Sequence, residues 1–193
     1  MEAQFGLIDG VIRTRVGYAG GQMSDPDYRH MGDHTETVQI DYDPLRISYA
    51  ELLNVFWESH KPTEGSGSRQ YMKAVFYHDE RQRALADASK SAMEQKTGRS
   101  VTTEVLPVRT FYWAEDYHQK YLLKRRTDLT REMTRMYPLE KDFLNSTAVA
   151  RLNGYAGGYG RPDQLAAEIT DLGLSPAGRQ SLDHLVGRSG LFN

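Results

Sequence analysis

The sequence predicts an α+β fold, a two-layer α/β plait followed by a helical C-terminal extension. Three observations carry this prediction. Runs rich in β-branched residues alternate with amphipathic helical stretches over residues 1–137. A capping box, Ser48-Tyr49-Ala50-Glu51, marks the start of the first full helix. Residues 138–193 carry three helical patterns and no strand pattern. The expected domains are therefore 1–137 and 138–193.

Composition narrows the function. Lys+Arg is 24 and Asp+Glu is 26, a net charge of −2, which argues against a general nucleic-acid surface. A hydrophobic fraction of 39% beside 26% charged residues marks a well-solvated chain that still has a core to bury. No apolar run approaches the ~20 residues of a membrane span. The sequence has no cysteine, which excludes a disulfide framework, a thiolate metal site and a cysteine nucleophile among these 193 residues. The first residues show no basic and apolar leader pattern, so the expected compartment is the cytoplasm.

Taken in order, Glu2 to Ile8 reads as the tail of a helix that Asp9-Gly10 stops. Residues 11–18 read as a strand that Ala19-Gly20-Gly21 breaks. Gln22 to Asp33 is a polar loop. Glu36 to Tyr42 alternates, with Val38, Ile40 and Tyr42 on one face of a second strand. The capping box then opens a helix over 48–59, whose stripe of Tyr49, Leu52, Leu53, Phe56 and Trp57 faces the sheet. Gln70 to His78 reads as a strand, Asp79 to Lys96 as a helix stopping near Gly98, and Val101 to Val105 as a short strand. A helical stretch follows from Ala114, with Tyr117 and Tyr121 on one helix face. The extension has helices near 139–152, 163–172 and 176–186, the last capped by Ser175 before an N1 proline. The order is that of a ferredoxin-like plait, β–α–β–β–α–β, with its first strand missing. The strands that would flank it are expected to lack a partner on one edge.

Individual motifs say little alone. Gly17-Tyr18-Ala19-Gly20-Gly21 reads as a strand-end turn using glycine at positive φ. The same letters recur at 154–158 with different flanks, which does not make a duplication. The six histidines include no metal-ligand spacing, and His30 and His34 read as polar loop surface. Phe111-Tyr112-Trp113 reads as packing. Tyr28, Glu36 and Tyr71 stand near strand ends or loops, and each taken alone reads as a surface or packing residue. A carboxylic acid brought beside two phenols, with its pKa raised by burial, would serve as a general acid and hold an oxygen.

Several stretches occur in one order. They are 10–21, Asp25-Pro26-x-Tyr28, His34-x-Glu36, Tyr42-Asp43-Pro44, Ile47-Ser48-Tyr49 through Phe56-Trp57-Glu58-x-His60-x-Pro62-Thr63, Gln70-Tyr71 and Phe111-Tyr112-x-Ala114-Glu115-Asp116-Tyr117-His118-Gln119. As an ordered set over roughly the first 121 residues they resemble the peptide methionine sulfoxide reductase A family. The resemblance implies a two-layer plait that reduces methionine-S-sulfoxide, free or in protein, to methionine. A thiolate attacks the sulfoxide sulfur, the oxygen leaves protonated, and the resulting sulfenic acid is reduced by thiols. On this likeness Glu36 protonates the sulfoxide oxygen, and Tyr28 and Tyr71 hold it. The reductant is an external thiol such as thioredoxin, glutaredoxin or dithiothreitol, and no bound cofactor or metal is implied. The partners are oxidised-methionine proteins, or free methionine sulfoxide, and the reductant protein.

The sequence also departs from the family. The family's nucleophile stands in Gly-Cys-Phe-Trp-Gly-x-Glu, whose Glu aligns with Glu2, so the nucleophile falls before Met1. The expected explanation is a truncated gene start, or a selenocysteine codon read as a stop. Ala156 occupies the place where the family often has a resolving cysteine, and the usual acid after Pro62 has no counterpart, Ser66 standing at its spacing. The expected function is methionine-S-sulfoxide reduction. The alternative is a non-catalytic module that binds the sulfoxide or a partner.

Overall fold

The computed structural model describes residues 1–189. Its elements mix helices with short strands, as the sequence pattern predicts. They begin with α1 (Glu2–Gly6), β1 (Val11–Ala19), β2 (Thr35–Tyr42), α2 (Tyr49–Glu58), β3 (Ala74–Tyr77) and α3 (Glu80–Thr97). Next come β4 (Glu104–Pro107), β5 (Phe111–Trp113), α4 (Tyr121–Lys124) and α5 (Thr127–Met136). The extension holds α6 (Glu140–Asn145), α7 (Thr147–Ala156), α8 (Pro162–Glu168) and α9 (Pro176–Ser189). Among the described residues no helix is long and apolar enough to cross a membrane.

The strands form two sheets, one of order β2-β1-β5 and one of the parallel pair β3-β4. β2 and β3 are therefore both edge strands. The apolar face expected on β2, Val38, Ile40 and Tyr42, stays only half-buried.

Contacts divide the chain into two compact units. The first comprises Met1–Arg15, Val38–Asp43 and the chain from Asp116 onward. Its core gathers Leu7, Leu123, Leu129, Met133, Leu152 and Leu182. A buried polar cluster joins α1 to β1, to Lys120 before α4 and to α7. The Lys120 ammonium lies 2.6 Å from Glu2 Oε1 and also donates to the Thr14 carbonyl. The Lys120 N–H donates to Glu2 Oε2 at 3.0 Å, and the Asn153 side chain reaches the same oxygen. Burial pushes the Lys120 ammonium below its usual range, and the Glu2 carboxylate opposes that push.

The second unit comprises Val16–Thr37 and Pro44–Glu115. Leu53 and Trp57 of α2 pack on Val75, Ala86 and Val101. Helix ends here are set locally. Ser48 Oγ accepts the Glu51 N–H and Glu51 accepts the Ser48 N–H, closing the capping box. Asp79 caps α3, and Gly98 ends it in the left-handed conformation.

Several elements differ from expectation. The strand expected over 70–78 is only Ala74–Tyr77, because Glu36 and Thr35 engage the backbone at Gln70 and Arg69. The strand expected at 101–105 is shifted to Glu104–Pro107, where it finds β3 in parallel register. Phe111–Trp113 is a strand as well as packing, antiparallel to Gly17–Ala19. Tyr117 and Tyr121 do not share one helix face. Lys120 adopts φ 51 between them, ending the turn at 116–118 so that its ammonium reaches Glu2.

Candidate functional site

The site is built at the open end of β1 in the second unit. Gly17 lies under the Tyr112 carbonyl and the Phe111 ring, where a Cβ has no room, so β5 packs tightly on β1. Gly20 then takes φ 84 and turns the chain into the loop that carries Tyr28.

Two side chains brace the base of that loop. His34 is buried, contrary to the surface role expected for it. Its Nδ1 accepts the Gly21 N–H at 3.2 Å, so Nε2 carries the proton and donates to the Met23 carbonyl at 2.8 Å. The Asp33 carboxylate accepts the N–H groups of Gln22 and Met23. These contacts, the Gln22 N–H first, hold the Asp33 carboxyl below the usual carboxylate range. His30 remains on the surface, paired with Asp27 at 3.1 Å.

The first residues of β2 bind the segment before β3. Thr35 Oγ1 donates to the Arg69 carbonyl at 3.0 Å, and the Glu36 N–H donates to the Gln70 carbonyl at 3.0 Å. Gln70 Nε2 donates back to Glu36 Oε1 at 2.7 Å. Tyr71, next in the chain, is thereby held beside Glu36. Its hydroxyl is hydrogen-bonded with that of Tyr28, which raises the Tyr71 phenol above its ordinary value; the Glu36 charge adds to the rise.

Glu36, Tyr28 and Tyr71 thus converge, although 35 residues separate Glu36 from Tyr71. Tyr28 is 38% and Tyr71 57% exposed, so both residues lie at the surface. Glu36 is exposed too, and the burial invoked for a general acid is not supplied by these residues. Two phenolic donors and a carboxyl suit a single strong acceptor atom, such as the oxygen of a polarised S–O bond. Neither task of Gln70 or His34 is visible in the sequence around it. Their partners lie 34 and 11–13 residues away, beyond any local pattern.

The family model for peptide methionine sulfoxide reductase matches residues 1–152. The chain belongs to the peptide methionine sulfoxide reductase family. It is 44% identical over 182 residues to the peptide methionine sulfoxide reductase of Drosophila melanogaster, covering 93% of this chain and 72% of that one. It is 45% identical over 161 residues to peptide methionine sulfoxide reductase A5 of Oryza sativa subsp. japonica, covering 80% of this chain and 63% of the relative. This chain therefore spans less than two thirds of the rice relative. Among solved structures, reduced Mxr1 from Saccharomyces cerevisiae superposes with a TM-score of 0.58 at 29% identity, covering 61% of this chain and 74% of that one. Methionine sulfoxide reductase A of Corynebacterium diphtheriae gives 0.53 at 32% identity, with 61% and 65% covered. The reductase family membership agrees with the α+β fold.

Proposed function

We propose that this chain supplies the oxygen-handling side of a reductase acting on methionine-S-sulfoxide, free or in oxidised proteins. The observation that carries this is the convergence of Glu36, Tyr28 and Tyr71 at one exposed point of a reductase-family fold. Tyr28 and Tyr71 donate to the sulfoxide oxygen, which polarises the S–O bond and makes the sulfur electrophilic. Glu36 in its acid form protonates that oxygen as the bond to sulfur breaks. A thiolate or selenolate forms the new bond to sulfur as the oxygen departs as water. Water then cleaves that bond at the nucleophile, releasing methionine and leaving a sulfenic or selenenic acid. Two equivalents of an external thiol such as thioredoxin, glutaredoxin or dithiothreitol reduce this acid back to the nucleophile, with a disulfide and water as products. That nucleophile is not one of these 193 residues, which include no cysteine.

The cysteine-free composition favours a second reading, in which the chain binds the sulfoxide without reducing it. Calorimetric titration with N-acetyl-methionine-S-sulfoxide amide and with its sulfide tests the shared part of both readings. Binding of the sulfoxide that exceeds sulfide binding and weakens in Glu36→Gln, Tyr28→Phe and Tyr71→Phe is expected. Equal binding of sulfoxide and sulfide contradicts the proposed oxygen site. Thiol-dependent turnover by the chain extended with a cysteine-bearing Gly-Cys-Phe-Trp-Gly segment before Met1 separates reduction from binding.

A further inference from the structure

Tyr28 sits on a long loop, yet its phenol must be placed to within a fraction of an ångström to share one oxygen with Tyr71. His34 and Asp33 brace only the base of that loop, at residues 21–23. At Tyr28 itself the backbone N–H donates to Glu115 Oε1 at 3.0 Å. The other carboxylate oxygen, Oε2, accepts the Tyr18 hydroxyl at 2.6 Å.

Both supports of Glu115 are rigid. Tyr18 lies in β1, is 1% exposed and packs with Met31 and Ala114. Ala114, the residue before Glu115, donates its N–H to the Val16 carbonyl at 3.1 Å, extending the β1–β5 pairing by one step. The carboxylate is thus fixed by a strand pair on one side and clamps the loop backbone on the other.

We propose that Glu115 is a positioning residue of the oxygen site, tying the Tyr28 backbone to the buried Tyr18 hydroxyl so that the Tyr28 phenol stays against Tyr71. This inference rests on the oxygen-site reading for its consequence in sulfoxide binding, and not for its geometry. A charge-assisted hydrogen bond to a backbone N–H is among the stronger polar contacts, which makes one carboxylate sufficient to pin the loop. Glu115 itself stays off the substrate.

The test uses the full chain carrying 13C-labelled tyrosine, in wild type, Glu115→Ala, Glu115→Gln and Tyr18→Phe. The Tyr71 phenol is titrated by NMR, and the affinity for N-acetyl-methionine-S-sulfoxide amide is measured alongside. In Glu115→Ala the Tyr71 titration is expected to fall toward that of a free phenol, and sulfoxide affinity to weaken roughly tenfold. Glu115→Gln keeps an oxygen that accepts the Tyr28 N–H, so it is expected to restore most of both. Tyr18→Phe keeps the buried ring while releasing Glu115, and decides the question if Glu115→Ala does not fold. The proposal is overturned if the folded variants titrate as wild type does, or if Glu115→Gln is as impaired as Glu115→Ala. Should Tyr28→Phe and Tyr71→Phe leave sulfoxide affinity unchanged, the oxygen-site reading fails instead. The Tyr71 titration needs no substrate and still judges Glu115.

Discussion

Gln70 grips Glu36 twice, its carbonyl accepting the Glu36 N–H at 3.0 Å and its amide donating to Glu36 Oε1 at 2.7 Å. One side chain and one peptide thus fix both the strand end and the acid that the strand carries. The same grip places Tyr71, because Tyr71 is the next residue in the chain.

Removing the amide leaves the backbone bond and frees the carboxylate. Gln70→Ala is expected to weaken sulfoxide affinity roughly fivefold, the equivalent of a hydrogen bond of about 1 kcal/mol. Gln70→Glu sets a second carboxylate against Glu36 and is expected to weaken it further. Calorimetry of both variants checks the order.

The Tyr28–Tyr71 hydrogen bond raises the Tyr71 phenol above its usual 10.0. A raised folded-state value means the neutral form is favoured by the fold. That contribution is complete below about pH 10 and is lost as pH rises through the higher folded value. Tyr28→Phe is expected to move the Tyr71 titration back toward 10.0, read from the tyrosine 13C shift.

Asp33 gives the opposite sign. Its folded-state value lies below the usual 3.8, so its hold on Gln22 and Met23 is complete above about pH 4. The hold is lost as pH falls through the lower folded value. Amide exchange at Gln22 and Met23 is expected to accelerate there, beyond the intrinsic pH trend, and Asp33→Asn is expected to show that acceleration already at neutral pH.

In the first unit, Lys120→Met removes the ammonium from a buried carboxylate. Truncating one partner of a buried pair typically costs about 3–5 kcal/mol, through the charge left behind. Pairing Lys120→Met with Glu2→Gln removes that charge and is expected to recover much of the loss. Denaturant melts of the single and double variants form the cycle that measures it.

The parts legible in the sequence are those decided within a few residues. The Ser48–Glu51 box and the Gly98 stop each involve neighbours three places apart or a single backbone angle. The turn at Gly20 is of the same kind. Strands paired with distant segments were less legible. β4 took its register from β3 rather than from its own β-branched run, and β5 exists because Gly17 lets Tyr112 approach. Lys120 left the helical pattern for an ion pair 118 residues away. The convergence of Tyr28, Glu36 and Tyr71 was available only through family resemblance, since every hydrogen bond that assembles it is long-range. His34 shows the limit of composition, because a histidine in a polar loop gives no local sign that it is buried.

The most direct measurement of the central claim adds the nucleophile to these residues. The chain is extended before Met1 by an apolar strand ending in Gly-Cys-Phe-Trp-Gly, with and without Glu36→Gln. The extended chain is expected to reduce methionine-S-sulfoxide, and not the R epimer, with dithiothreitol as reductant. Glu36→Gln is expected to slow that turnover at least about 100-fold, the loss of a general acid. A folded, extended chain that reduces the S epimer equally well with and without the Glu36 carboxylate contradicts the account.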